Sequence, residues 1–249
     1  MSLTNFNQLI EQLKGGKSLK RVAVVAAADQ HTLEALIMAQ RDEVAIPILI
    51  GDSAMITTYL EELNFPVEDA HIIDVASHDE AARRAVEMIN AGEADFIMKG
   101  LVDTATLMRV IVSKESNLRT ESIMSHLAFL EVPTYHKLLA ISDSALNTYP
   151  SLEQKRQIIE NAVIALTKMG IAQPKVAVMA AAEEINPKIA ESVEADALKA
   201  MNQSGELKGC IVEGPISYDL AINEEAAQIK RYFSPVAGDA DLLVPPNLT

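Results

Sequence analysis

The sequence predicts an α/β protein of two doubly wound domains, residues 1–122 and 123–249. Three observations predict it. Apolar runs of strand length recur, and each is followed by a stretch with helical spacing. The runs are apolar throughout instead of alternating, the mark of parallel strands covered on both faces. The rhythm breaks once, near residue 120, and then resumes.

In order, "RVAVVAAA" (21–28) is the first strand, and "DQHTLEALIMAQRDE" after it keeps Leu33, Leu36 and Ile37 at helical spacing. "IPILIG" (46–51) leads into "DSAMITTYLEELN", and "AHIIDVAS" (70–77) leads into "HDEAARRAVEMINAGE". "ADFIMKG" (94–100) leads into "TATLMRVIVSKES". Such alternation builds parallel βαβ units. "ESIMSHLAFLEV" (121–132) and "YHKLLAISDSALN" (135–147), joined by "PT", read as an antiparallel pair. "SLEQKRQIIENAVIALTKMG" is a long helix with Ser151 as N-cap and Gly170 as C-cap. "KVAVMAAA" (175–182) is a strand, "NPKIAESVEADALKAMNQSG" a helix and "GCIVEGPI" (209–216) a strand. "NEEAAQIKRYF" and "ADLLVPP" close the second domain as a helix and a strand.

Composition narrows the function. A formal net charge of −14 argues against nucleic acid, whose phosphates are held by clustered Lys and Arg. The same charge repels small anions at long range, so any anion site must be built locally from a few cations and helix N-termini. No apolar run approaches the roughly 20 residues that cross a bilayer. The amino end is amphipathic and shows no signal-peptide pattern, and the single cysteine excludes an internal disulfide. Cytoplasm is the expected compartment.

Familiar motifs fall away. "GGKS" (15–18) echoes the end of a phosphate-binding loop, but Glu11 stands where its first Gly belongs, and it precedes its strand. No G-x-G-x-x-G follows a strand, which removes the dinucleotide fingerprint. The histidines at 31, 71, 78, 126 and 136 are scattered without cysteine partners, so no metal is expected. Cys210, between Gly209 and an apolar pair, reads as a buried, inert thiol.

What remains lies at strand ends, where open parallel sheets place their ligands. Lys99 and Gly100 end one strand, and Asp103, Thr104 and Thr106 open the next helix, where free N–H groups favour an anion. Arg109 follows one to two turns on, facing either the Thr106 side or the core. Further clusters are "ISDSALNTYPS" (141–151), "VEGPISYDLAIN" (212–223) and "VAGDADLLVPPN" (236–247).

Together with "ADFIMKGLVDTATLMR", those stretches, in this order, resemble the phosphate acetyltransferase and phosphate butyryltransferase family. The Lys-Gly after the strand is more similar to the butyryltransferase branch than to the Ser-Gly of the acetyltransferase branch. The resemblance implies transfer of a short acyl group between coenzyme A and orthophosphate, with CoA as substrate and no metal or other cofactor. It implies two α/β domains of the isocitrate/isopropylmalate dehydrogenase type, a cleft between them as the active site, and a homo-oligomer, commonly a dimer. By the same resemblance Lys99 and Arg109 are catalytic, and Gly100, Thr104, Thr106, Asn147 and Asp219 bind substrate. Family members carry a further carboxyl-terminal segment that returns to the first domain, bearing a Ser-Arg pair and an Asp proposed as general base. The sequence reaches Thr249 before it. The alternatives are a phosphate acetyltransferase, or a non-catalytic homologue that binds CoA or an acid. A metal-dependent 2-hydroxyacid dehydrogenase would share the architecture, but no Asp triad for its metal can be assembled.

Overall fold

The computed structural model describes residues 3–14 and 19–249, so "GGKS" lies outside the described residues. The chain divides into two compact units, one of Ile10–Glu121 and one of Ser122–Thr249 with the amino-terminal residues to Leu9. The sequence reading assigned that amino-terminal piece to the first domain. Two long-range hydrogen bonds explain the difference: Leu138 N–H donates to Leu3 O at 2.8 Å, and Phe6 N–H to the Glu131 carboxylate at 2.9 Å. The division falls within helix α1 (Phe6–Leu13).

The 10–121 unit holds β1 (Lys20–Val25), β2 (Ala45–Gly51), β3 (His71–Asp74) and β4 (Phe96–Lys99). They form one parallel sheet in the order β3-β2-β1-β4. Helices α2 (Gln30–Arg41) and α3 (Ser53–Glu62) cover the face that presents Val22, Val24 and Leu49. Helices α4 (His78–Asn90) and α5 (Thr104–Ile111) cover the opposite face, with Ala23, Val25, Ile48 and Ile50. Successive side chains of Val22–Val25 enter different cores, and that is why this part of β1 is an unbroken apolar run. The unit is doubly wound.

The 122–249 unit orders its strands β5-β6-β9-β7-β8. β5 (Ala128–Leu130) runs antiparallel to β6 (Leu139–Ile141), as the sequence predicts. β9 (Leu242–Val244), β7 (Lys175–Met179) and β8 (Ile211–Ile216) continue in parallel. One face packs on α6 (Leu152–Lys168) and α7 (Ala190–Ser204), the other on α8 (Tyr218–Ile222) and α9 (Glu224–Ile229). Ser151 caps α6 through a full capping box with Gln154, and Gly170, at φ +97°, follows its last turn in the left-handed region. Cys210 is buried, and burial together with the nearby Glu160 charge pushes its thiol up to about 11, which leaves it unreactive.

The two ends of this second sheet differ in chemistry. At the amino ends, Lys137 reaches Asp239 at 2.8 Å and Asp241 at 2.7 Å, and Lys175 also pairs with Asp239. These charges tie the starts of β6, β7 and β9 together. Partial desolvation pushes the Asp239 carboxyl up, but hydrogen bonds from Lys137, Lys175 and His136 outweigh it and hold the group well below the usual range. A carboxyl lowered by folding stabilises the fold above its unfolded pKa of about 3.9, and that contribution is lost as pH falls through the folded value. The urea midpoint should therefore drop below about pH 5, and Asp239→Asn should flatten that drop. Superimposable pH profiles for the two proteins would count against this assignment.

Candidate active site

In the 10–121 unit the strand order reverses around β1, with β2 on one side and β4 on the other. Beyond the carboxyl ends of β1 and β4 lies the position where sheets of this type hold ligands. The stretch after β4 is fastened there. Gly100 N–H donates to Val25 O at 2.9 Å, and Leu101 N–H to Ala26 O at 2.8 Å. A side chain at position 100 would put its Cβ 2.4 Å from Ala26 O, a contact with backbone that nothing can relieve. Only glycine lets the chain lie so close to β1.

Lys99 is exposed at this corner, and its ammonium donates to Gly100 O at 3.2 Å. Among the described residues, no carboxylate lies within ion-pair distance of it. The other residues expected here are more committed. Asp103 caps α5, taking the Thr106 N–H at 2.8 Å, and hydrogen bonds from Thr106 and Ala105 hold its carboxyl below the ordinary range. The sequence reading expected free N–H groups at this helix start, favouring an anion. Asp103 takes one of these donors, the Thr106 N–H, as an N-cap carboxylate does. Thr104 is exposed on the first turn.

Arg109 faces solvent, not the core, and pairs with Asp79 of α4 at 3.1 Å. Asp79 also holds Arg83 at 2.9 Å, and these two arginines, Arg83 first, keep its carboxyl low. The pair leads back to the strand ends, because His78, next to Asp79, lines a cavity of about 240 Å³ there. Ala26, Ala28 and Leu101 line it too, so it adjoins the Lys99–Gly100 corner.

Asn147 and Asp219 belong to the other unit. Asn147 donates to Asp143 at 2.6 Å and to Met124 O at 2.9 Å. Asp143 is buried at the end of β6; desolvation raises its carboxyl, but N–H donors from Ala145, Leu146, Asn147 and His126 bring it down. It organises the whole turn. Asp219 accepts from Ser217 at 2.7 Å and pairs with Lys230 at 3.0 Å. Sequence reasoning missed Asp79 and the organising role of Asp143. Asp79 carried one local signal, an Arg four residues on, but nothing that named Arg109 as its partner. Among the described residues no cluster of metal-ligating side chains is present.

The family Phosphate acetyl/butaryl transferase matches residues 78–249. The chain belongs to that family. It is 41% identical to a phosphate butyryltransferase of Clostridium acetobutylicum over 99% of its own length and 81% of the relative's. It is 42% identical to a phosphate acetyltransferase of Thermotoga maritima, over 98% of this chain and 82% of that one. A crystal structure of a branched-chain phosphotransacylase from Enterococcus faecalis superposes with a TM-score of 0.79 at 30% identity, covering 92% of this chain and 80% of that one. A 4-hydroxythreonine-4-phosphate dehydrogenase from Burkholderia phymatum superposes at a TM-score of 0.52 and 16% identity, covering 92% of this chain and 81% of that one. That likeness concerns the fold alone, which is of the isocitrate/isopropylmalate dehydrogenase type. As a member of its family, the protein is a phosphate acyltransferase.

Proposed function

We propose that the protein interconverts a short-chain acyl-CoA plus orthophosphate and an acyl phosphate plus CoA, and that its working substrate is of butyryl size. The observation that carries this reading is the 41% identity with a phosphate butyryltransferase across 99% of the chain. The Lys-Gly corner supports it. In the direction of acyl phosphate formation, a phosphate oxygen attacks the thioester carbonyl, the C–O bond forms, and the C–S bond breaks. The sulfur leaves with the bonding pair and takes up the proton that phosphate gives up. Charge builds on the carbonyl oxygen and shifts to sulfur, so a cation fixed beside the carbonyl lowers the barrier.

Lys99 fits that role, since its ammonium is not neutralised by a carboxylate among the described residues. Arg109, Thr104 and Thr106 are assigned supporting contacts to phosphate or pantetheine, Arg109 only after it exchanges Asp79 for substrate. Asn147 and Asp219 are also assigned to substrate binding. CoA is a substrate, no metal or other cofactor takes part, and the protein works as a cytoplasmic homo-oligomer. Consistent with that setting, no helix among the described residues is long and apolar enough to cross a membrane.

Thiol release from acyl-CoA tests the proposal. CoA should appear from butyryl-CoA only when phosphate is added. Across a series, C3 to C5 acyl groups, branched ones included, should exceed acetyl in kcat/KM, with each methylene worth about 1–3 kcal/mol. Acetyl-CoA equal to or above butyryl-CoA would favour the acetyltransferase reading, which the Thermotoga relative supports. No thiol release from any acyl-CoA would favour a homologue that only binds.

A further inference from the structure

We propose that the cavity at the carboxyl ends of β1, β2 and β3 is the acyl-chain pocket, and that Ala28, Met55 and Leu101 set the chain length it accepts. The inference rests on the acyltransfer reading and specifies where the acyl group goes. Four observations lead to it.

The first is position. Leu101 lines the cavity and directly follows the Lys99–Gly100 corner, and Ala26, which accepts the Leu101 N–H, lines it as well. The cavity thus opens beside the backbone that follows Lys99. The second is the character of the walls. Ala26, Ala28, Met55, Val75, Ala81 and Leu101 supply the apolar surface.

The third is charge. No Lys or Arg lines the cavity, and its polar side chains are Asp52, Ser77 and His78. Two of these already serve as helix caps: Asp52 accepts the Met55 N–H at 3.0 Å and Ser77 the Glu80 N–H at 3.2 Å. A phosphate of CoA would meet the Asp52 carboxylate with no cation to offset it. An uncharged hydrocarbon suits the space instead.

The fourth is size. The volume is about 240 Å³, whereas an apolar cavity of about 150 Å³ suffices for a benzene molecule. Straight or branched acyl groups of four to six carbons therefore fit. The room exists because Ala26, Ala28, Gly51, Ala76 and Ala81 are small. Met55 is 45% exposed and Leu101 59% exposed, so these larger side chains stand at the rim.

The experiment is steady-state kinetics of wild type, Ala28→Leu and Met55→Ala with acetyl-, butyryl- and hexanoyl-CoA, each with a thermal melt. Ala28→Leu fills the cavity and should lower the butyryl-to-acetyl ratio of kcat/KM about tenfold or more. Met55→Ala widens it and should raise the hexanoyl-to-butyryl ratio. Should Ala28→Leu fail to fold, Met55→Ala, changed at the exposed rim, decides alone. Unchanged ratios in folded, active variants would overturn the assignment. So would a KM that rises equally for every acyl-CoA, which would mean that the cavity holds part of CoA itself. Wild type that releases no phosphate-dependent CoA from any of the three would instead overturn the acyltransfer reading, and this inference with it.

Discussion

Lys99→Met should lower kcat/KM for phosphate-dependent CoA release roughly ten- to a hundredfold while the melting temperature stays put. The protein carries a net charge of −14, so its bulk field works against phosphate. Binding must come from local cations. Of the two assigned to the corner, Arg109 is already paired with Asp79, whereas Lys99 donates to a backbone carbonyl. A charge-assisted hydrogen bond to a phosphate or carbonyl oxygen is worth about 1.5–3 kcal/mol, which gives the stated range at about 1.4 kcal/mol per decade. Methionine keeps much of the side chain's length and removes the charge. Because Lys99 is exposed, its loss should change stability by less than about 0.5 kcal/mol. A raised phosphate KM with an unchanged melt supports the assignment. Wild-type kinetics would make the corner an ordinary strand-to-helix turn.

The second large effect concerns the fold, at the amino ends of the second sheet. Lys137→Met should destabilise the protein by about 3–5 kcal/mol. The Lys137 side chain is 5% exposed and that of Asp241 6%, and they meet at 2.7 Å. Asp241 retains the Lys175 N–H at 2.7 Å, but loses the cation that offsets its burial. Removing one partner of such a pair leaves a charge without compensation, whereas replacing both partners with apolar groups is often neutral. For a chain of this size the single change should lower the melting temperature on the order of ten degrees. Lys137→Met/Asp241→Leu should recover part of the loss. A single variant that melts with wild type would show that the pair contributes nothing net.

The legible part of this fold was the part written in local periodicity. The strands of the 10–121 unit contain apolar runs because their alternate residues enter two cores, and such runs are visible without coordinates. The antiparallel pair near residue 130 was visible as two strand-like runs joined by "PT", which break the alternation of strand and helix. What could not be read depends on distant partners. Nothing in "MSLTNF" says that Leu3 meets Leu138. Nothing in "YHKLLAI" says that its lysine is buried by Asp239 and Asp241, about a hundred residues later in the chain. At the candidate site, the turn after β4 was legible because Lys-Gly ends an apolar run and leads directly into a helical pattern. At the helix start that follows, Asp103 serves its own helix as a cap. Arg109 left two faces open in sequence, and only Asp79, thirty residues earlier, decides between them. The cavity beside Gly100 is made by the meeting of four separate segments, so no single stretch announces it.

The most direct test of acyl transfer is the identity of the product. Protein, butyryl-CoA and orthophosphate are combined, released thiol is measured, and acyl phosphate is trapped with hydroxylamine as the hydroxamate. The account predicts hydroxamate and thiol mole for mole, and neither when phosphate is omitted. Thiol accompanied by free butyrate and no hydroxamate, with or without phosphate, would contradict it.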